Sequence, residues 1–118
     1  MRRYVYIFQF FALVLLVAGC AWRREDDTIG RSAICELHHT PMVRTTIPIE
    51  YGFPHFSARD LARGSASTNT FPHADAYILG GCVVDEDSPY RALIYTCPQC
   101  LKTAHAWDSN YDKTNSSP

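Results

Sequence analysis

Residues 91–108, RALIYTCPQCLKTAHAWD, decide how the rest of the chain is read. Arg91 to Thr96 is an apolar run rich in strand formers, and its length suits a strand better than a helix. Cys97-Pro98-Gln99-Cys100 follows at once, and a gap of two residues lets one tight turn aim both sulfurs at a single point. The stretch LKTAHAWD then has the composition of a short helix. A strand, a paired-cysteine turn and a helix are expected in that order. Two sulfurs aimed at one point need partners from elsewhere in the chain.

Those partners lie upstream. Cys35-Glu36-Leu37-His38 repeats the spacing with one sulfur and one imidazole, so Cys35, His38, Cys97 and Cys100 make a four-donor set suited to a structural zinc ion. The first turn precedes a strand and the second follows one, so antiparallel pairing would bring the two together. Disulfide bonding competes, because Cys35, Cys82, Cys97 and Cys100 allow three connectivities in an oxidising compartment. Cys82, inside the apolar run Leu79 to Val84, reads as an inert buried thiol. Met42 with His38 and His39 offers soft donors of the kind that handle copper, although the plainer reading seats Met42 in the core. His55, His73 and His105 read as solvent-facing loop residues, and Asp85, Glu86 and Asp87 as solvated turn charges. There is no serine nucleophile elbow and no glycine-rich phosphate loop, so no catalytic residue is expected.

Working outward, MVRTTIPIEY (42–51) is rich in β-branched residues, and Pro48 restricts it to an edge strand or a bulge. Ser57 to Arg63 predicts a short helix closed by Gly64, and Gly64 to Thr70 an exposed loop. Ala76 to Val84 and Arg91 to Thr96, joined across Asp85-Glu86-Asp87-Ser88-Pro89, predict an antiparallel hairpin. The expectation is a small α+β domain over 32–108: an antiparallel sheet of about three strands, zinc-ribbon-like knuckles and one or two short helices. Residues 20–31 read as a flexible spacer and 109–118 as a fraying tail. The chain has 118 residues, 12 acidic and 11 basic, which fits one domain and makes a poor nucleic-acid binder.

The first residues carry a different message. Met1-Arg2-Arg3 is a short positive start, Val5 to Val17 is apolar apart from Gln9, and small residues precede Cys20; this is the order of a cleavable export signal over 1–19. Val17-Ala18-Gly19-Cys20 resembles the lipobox of bacterial lipoproteins. The resemblance implies cleavage before Cys20 and a membrane-anchoring lipid on its thiol, each buried methylene contributing roughly 0.8 kcal/mol of attachment. By the same resemblance, Ala21 in place of an aspartate implies the periplasmic face of the outer membrane. An uncleaved membrane helix from Tyr4 to Ala21 is the alternative, and it too places the remaining chain outside the cytoplasm.

Two more resemblances concern the cysteines. Strand, CPQC and helix in succession resemble the active-site turn of glutaredoxins, which implies a reactive Cys97 thiolate at a helix N-terminus and thiol-disulfide exchange with Cys100. That fold needs several elements after its CxxC, and only 18 residues follow Cys100. The set CELHHTPM, IPIEYGFP, YILGGCVV and TCPQC is similar to small bacterial proteins of the CxxH and CPxC type. Over 35–100 that implies a shared metal-stabilised domain.

If Cys20 is the lipidation site, Cys20→Ala abolishes incorporation of labelled fatty acid and leaves the signal uncut. Normal labelling of the variant would exclude Cys20 as the anchor.

Overall fold

The computed structural model describes residues 24–115, so the signal stretch, Cys20 and the last three residues lie outside the described residues. Four strands and two helices follow one another as β1 (Arg24–Asp26), β2 (Val43–Tyr51), α1 (Ala58–Thr70), β3 (Ile78–Gly81), β4 (Arg91–Thr96) and α2 (Pro98–Asn115). The sheet order is β1-β4-β2-β3. Strand β4 runs parallel to β1 and antiparallel to β2, while β2 runs parallel to β3. The domain is thus small and α+β, but its sheet has four strands and is mixed, where about three antiparallel strands were expected.

Burial explains the order. Ala92, Leu93 and Ile94 are all buried, the continuous apolar run of a strand covered on both faces, and β4 accordingly has a neighbour on each side. Strand β3 is short and mostly exposed, which suits an edge. The expected hairpin between these two runs does not form, because β2, the longest strand, lies between them. Residues 85–88 still turn, with Ser88 N–H donating to the Asp85 carbonyl at 3.2 Å and Asp85 N–H to Ser88 Oγ at 3.0 Å. The turn starts a crossing over the end of β2 instead of closing a hairpin.

Pro48 sits inside β2, not on an outer strand. Ile49 N–H points toward β4, where it donates to the Tyr90 carbonyl at 3.0 Å. Alternation turns the Pro48 nitrogen to the opposite side, and there pairing with β3 begins only at Ile49↔Ile78. The missing donor therefore costs no ladder bond. A bulge between Glu50 and Tyr51 follows, and Tyr51 folds across Gly80, where an added Cβ would clash with the ring. Its hydroxyl donates to the Pro89 carbonyl at 2.6 Å, tying β2 to the crossing segment.

Both helices are longer than the composition suggests. Ser57 caps α1, and the Asp60 carboxylate returns the bond by accepting from Ser57 N–H at 2.8 Å. The helix then runs through Gly64 to Thr70, so the stretch expected as a loop is helical. The Ser67 and Thr68 hydroxyls fold back onto the Gly64 carbonyl, and Arg59 and Arg63 reach Asp108 of α2 at 3.4 and 3.1 Å. Ala66 packs against the core cluster that Phe71 joins just past the helix end, so tertiary contact overrides weak propensity. Helix α2 likewise continues to Asn115, with Trp107 stacked on Tyr111, where a fraying tail was expected.

The presumed spacer is also partly structured. Arg24–Asp26 adds a strand through backbone bonds to β4, and Asp27 N–H continues them to the Leu93 carbonyl at 2.9 Å. Asp26 accepts from the buried Thr28 and pairs with Arg44 at 2.7 Å. Ordered structure thus begins before Ser32. Ile47, Ile49, Ala92 and Ile94 form one apolar cluster in the sheet. A second gathers Phe71, Ala74 and Ala104 around Cys35, Cys97 and Cys100.

Phe71 is 1 % exposed and Leu61 is 63 % exposed. Phe71→Ala should therefore cost about 3–5 kcal/mol in denaturant unfolding, against about 0.5 kcal/mol or less for Leu61→Ala. The Asp60 carboxyl is held below its ordinary 3.8 by the Ser57 hydroxyl and amide. A lowered folded-state pKa contributes stability above the unfolded value, lost as pH falls through the folded one. The stability gap between wild type and Ser57→Ala should narrow below about pH 3.8; a gap that widens in acid would contradict the capping box.

Candidate metal centre

Each half of the centre is built locally. Cys35 leads a small ribbon in which its N–H donates to the Thr40 carbonyl at 2.9 Å and Met42 N–H donates to the Ala33 carbonyl at 2.7 Å. The turn closes with His39 N–H on the Cys35 carbonyl at 2.7 Å. His39 takes φ of 53°, a left-handed conformation that reverses the chain without a glycine. This aims His38 back toward Cys35. In the other half Cys97 precedes α2, with Pro98 as its first helical residue, a position where proline loses nothing. Leu101 N–H makes the first helical bond, to the Cys97 carbonyl at 3.0 Å.

The β2–β4 register joins the halves. Val43 pairs with Thr96, so the residues just before β2 lie beside those just after β4. The antiparallel pairing expected to unite the two turns is present, made by β2 and β4 and not by a β3–β4 hairpin. His38 Nδ1 lies 3.5 Å from Cys35 Sγ, 3.6 Å from Cys97 Sγ and 3.4 Å from Cys100 Sγ. Cys35 Sγ and Cys100 Sγ are 3.9 Å apart, nearly twice a disulfide bond length. All four donors lie within 4.8 Å of one another and could hold a metal ion. The three cysteines are fully buried and His38 partly so.

Electrostatics distinguishes the sulfurs. Burial works to raise the Cys97 thiol, but the amides of Cys100 and Gln99, the Thr40 hydroxyl and the Cys35 thiol outweigh it and bring it down to about 6. Thr40 Oγ1 is 3.6 Å from that sulfur. Cys100 goes the other way: burial and the neighbouring sulfurs push it up to about 12, against a backbone hydrogen bond at His73. The Cys97 thiolate forms readily, and Cys100 needs a cation to ionise beside it.

The remaining sequence candidates disperse. Cys82 is exposed, not buried, because the chain leaves the sheet at Gly81, with φ of 97°. His39, His55 and His105 are exposed, and Met42 packs against the buried cluster. His73 is no free loop residue, since Nε2 donates to Glu36 Oε2 at 2.7 Å and holds that carboxylate below its usual range. Neither Glu36 nor Thr40 carried a signal by spacing, and both touch the centre only through the folded turn. No family model, curated protein or solved structure matches the chain, so its function rests on the chemistry of this cluster.

Thiol labelling of the native protein should mark Cys82 first. Cys35, Cys97 and Cys100 should react only after chelation or unfolding. Rapid, selective alkylation of Cys97 in the native protein would contradict this order.

Proposed function

We propose that the chain is a lipid-anchored protein of the bacterial envelope whose domain closes around one structural zinc ion held by Cys35, His38, Cys97 and Cys100. The convergence of these four donors carries the metal half of the reading. Bond lengths of 2.3 Å to sulfur and 2.0–2.1 Å to nitrogen give a regular tetrahedron edges of about 3.6 Å between sulfur and nitrogen and about 3.8 Å between sulfurs. The sulfur–nitrogen separations of 3.4, 3.5 and 3.6 Å and the sulfur–sulfur separation of 3.9 Å fit those edges. Two zinc-ribbon-like knuckles then supply two ligands each.

A full shell of four protein ligands has no open position for activating water, so the ion contributes folding energy. The domain's role on this reading is binding or structural support at the membrane. The anchor rests on the Val17 to Cys20 pattern, and Ala21 in place of an aspartate favours the periplasmic face of the outer membrane. No helix among the described residues is long and apolar enough to cross a membrane. A thiol-disulfide role for Cys97 and Cys100 draws support from the lowered Cys97 pKa, but a nucleophile must meet its substrate, and Cys97 is fully buried.

The full chain, purified in detergent without chelator, should carry one tightly held zinc. His38→Ala should lose it together with stability, each kcal/mol removing roughly 4–8 °C from Tm in a domain of this size. An unchanged Tm in the variant, with no reactive thiol after denaturation, would replace the metal by disulfides.

A further inference from the structure

Cys35 belongs to two groups of donors. Its sulfur also lies within 4.8 Å of a Glu36 carboxylate oxygen and a His73 ring nitrogen. Glu36 comes from the first knuckle itself, next to Cys35, and is exposed. His73 comes from the segment that packs over the second knuckle, where its carbonyl accepts the Cys97 amide at 3.0 Å. Both side chains open onto a cavity of about 330 Å³, which Met42, Asp27 and Asp75 also line. Arg31 lines it too, but its charge is engaged by Asp27 at 3.5 Å.

This neighbourhood favours a cation. A divalent ion held by three thiolates and one neutral imidazole carries a formal charge of −1, and the cavity adds the carboxylates of Glu36 and Asp75. A thiolate bound to one ion keeps lone pairs able to bind a second. We propose that Glu36 and His73, with the Cys35 sulfur shared as a bridge, form a second and weaker divalent-cation site facing this cavity. The inference rests on the metal reading above, since the bridging sulfur belongs to the first ion.

The donor set names the class of ion. One sulfur, one imidazole and one carboxylate suit a borderline ion such as Zn²⁺ or Co²⁺, and neither Mg²⁺ nor Ca²⁺, which require oxygen. Three protein donors leave a coordination position for water from the cavity, so the second ion is exchangeable and can polarise a ligand, unlike the closed first site. Binding displaces the hydrogen bond between His73 and Glu36. Without the second ion that bond holds the two donors within reach of each other.

Co²⁺ is the probe, titrated into the full-length chain in detergent after reduction and metal removal, with visible absorption and native mass spectrometry as readouts. Wild type should take up two equivalents, the first producing the intense bands of tetrahedral thiolate-bound cobalt and the second binding more weakly. Glu36→Gln and His73→Gln should each stop at one equivalent with the first spectrum unchanged. Glu36 is exposed, and the His73 contact with Cys97 uses backbone, so neither change removes a core group. Uptake of a single equivalent by wild type overturns the second site and leaves the first intact, and uptake of two by both variants overturns it as well. No uptake at all would overturn the four-donor reading and this inference together.

Discussion

Three cysteine sulfurs packed around one imidazole nitrogen constrain everything else in this domain. With Phe71, Cys35, Cys97 and Cys100 are its largest fully buried side chains. The cluster around these sulfurs holds one aromatic ring and small residues beside three thiols, so it buries little hydrocarbon, and a domain of this size gains only a few kcal/mol from its cores. Buried thiolates lacking a counter-charge would weaken it further. A cation among the sulfurs would turn this weakness into cohesion, because in small metal domains the binding free energy is folding free energy, on the order of 10 kcal/mol. The centre is therefore also one of the domain's two cores.

Elements with poor local prospects make sense from there. Strand β1 reads Arg-Glu-Asp and α1 contains Gly64 with Ser, Thr and Asn, sequences that do not hold a strand or a helix alone. Each contacts an element that carries a donor of the centre or leads directly into one. Strand β4, which delivers Cys97, offers β1 an open edge. Helix α2, which begins at Cys97, presents Asp108 to Arg59 and Arg63, and Trp107 to Phe71 at a centroid distance of 6.4 Å. The Arg63 guanidinium also lies over the Phe71 ring, 5.4 Å from its centroid. The contacts of β1 and α1 thus run to the donors through β4 and α2.

How much of this was legible in the sequence depended on range. The two knuckles were legible because a two-residue gap between donors is a local constraint, and it names the same four residues that the fold assembles. The strand stretches 42–51 and 91–96 were legible for the same reason, their β-branched and apolar content being local. Sheet order was not, because nothing in Ala76 to Val84 states that β2 will come between it and β4. The exposure of Cys82 escaped for a related reason: its apolar neighbours predict burial, but the chain turns away at Gly81. Glu36 and His73 meet across 37 positions, a distance at which spacing carries no signal.

The features that lower the Cys97 pKa do not by themselves choose between nucleophile and ligand. A helix N-terminus, two amide donors and a hydroxyl stabilise a thiolate whatever it does next. Two further observations favour the ligand. A nucleophilic pair needs one reachable sulfur and one resolving partner, whereas here a third sulfur and an imidazole converge on the same point, and neither would serve a two-cysteine exchange. Access points the same way, since a disulfide substrate must approach the attacking sulfur in line and Cys97 has no exposed surface. A buried, low-pKa thiolate surrounded by three further donors matches the demands of metal coordination, and it meets those of thiol exchange only if the domain opens.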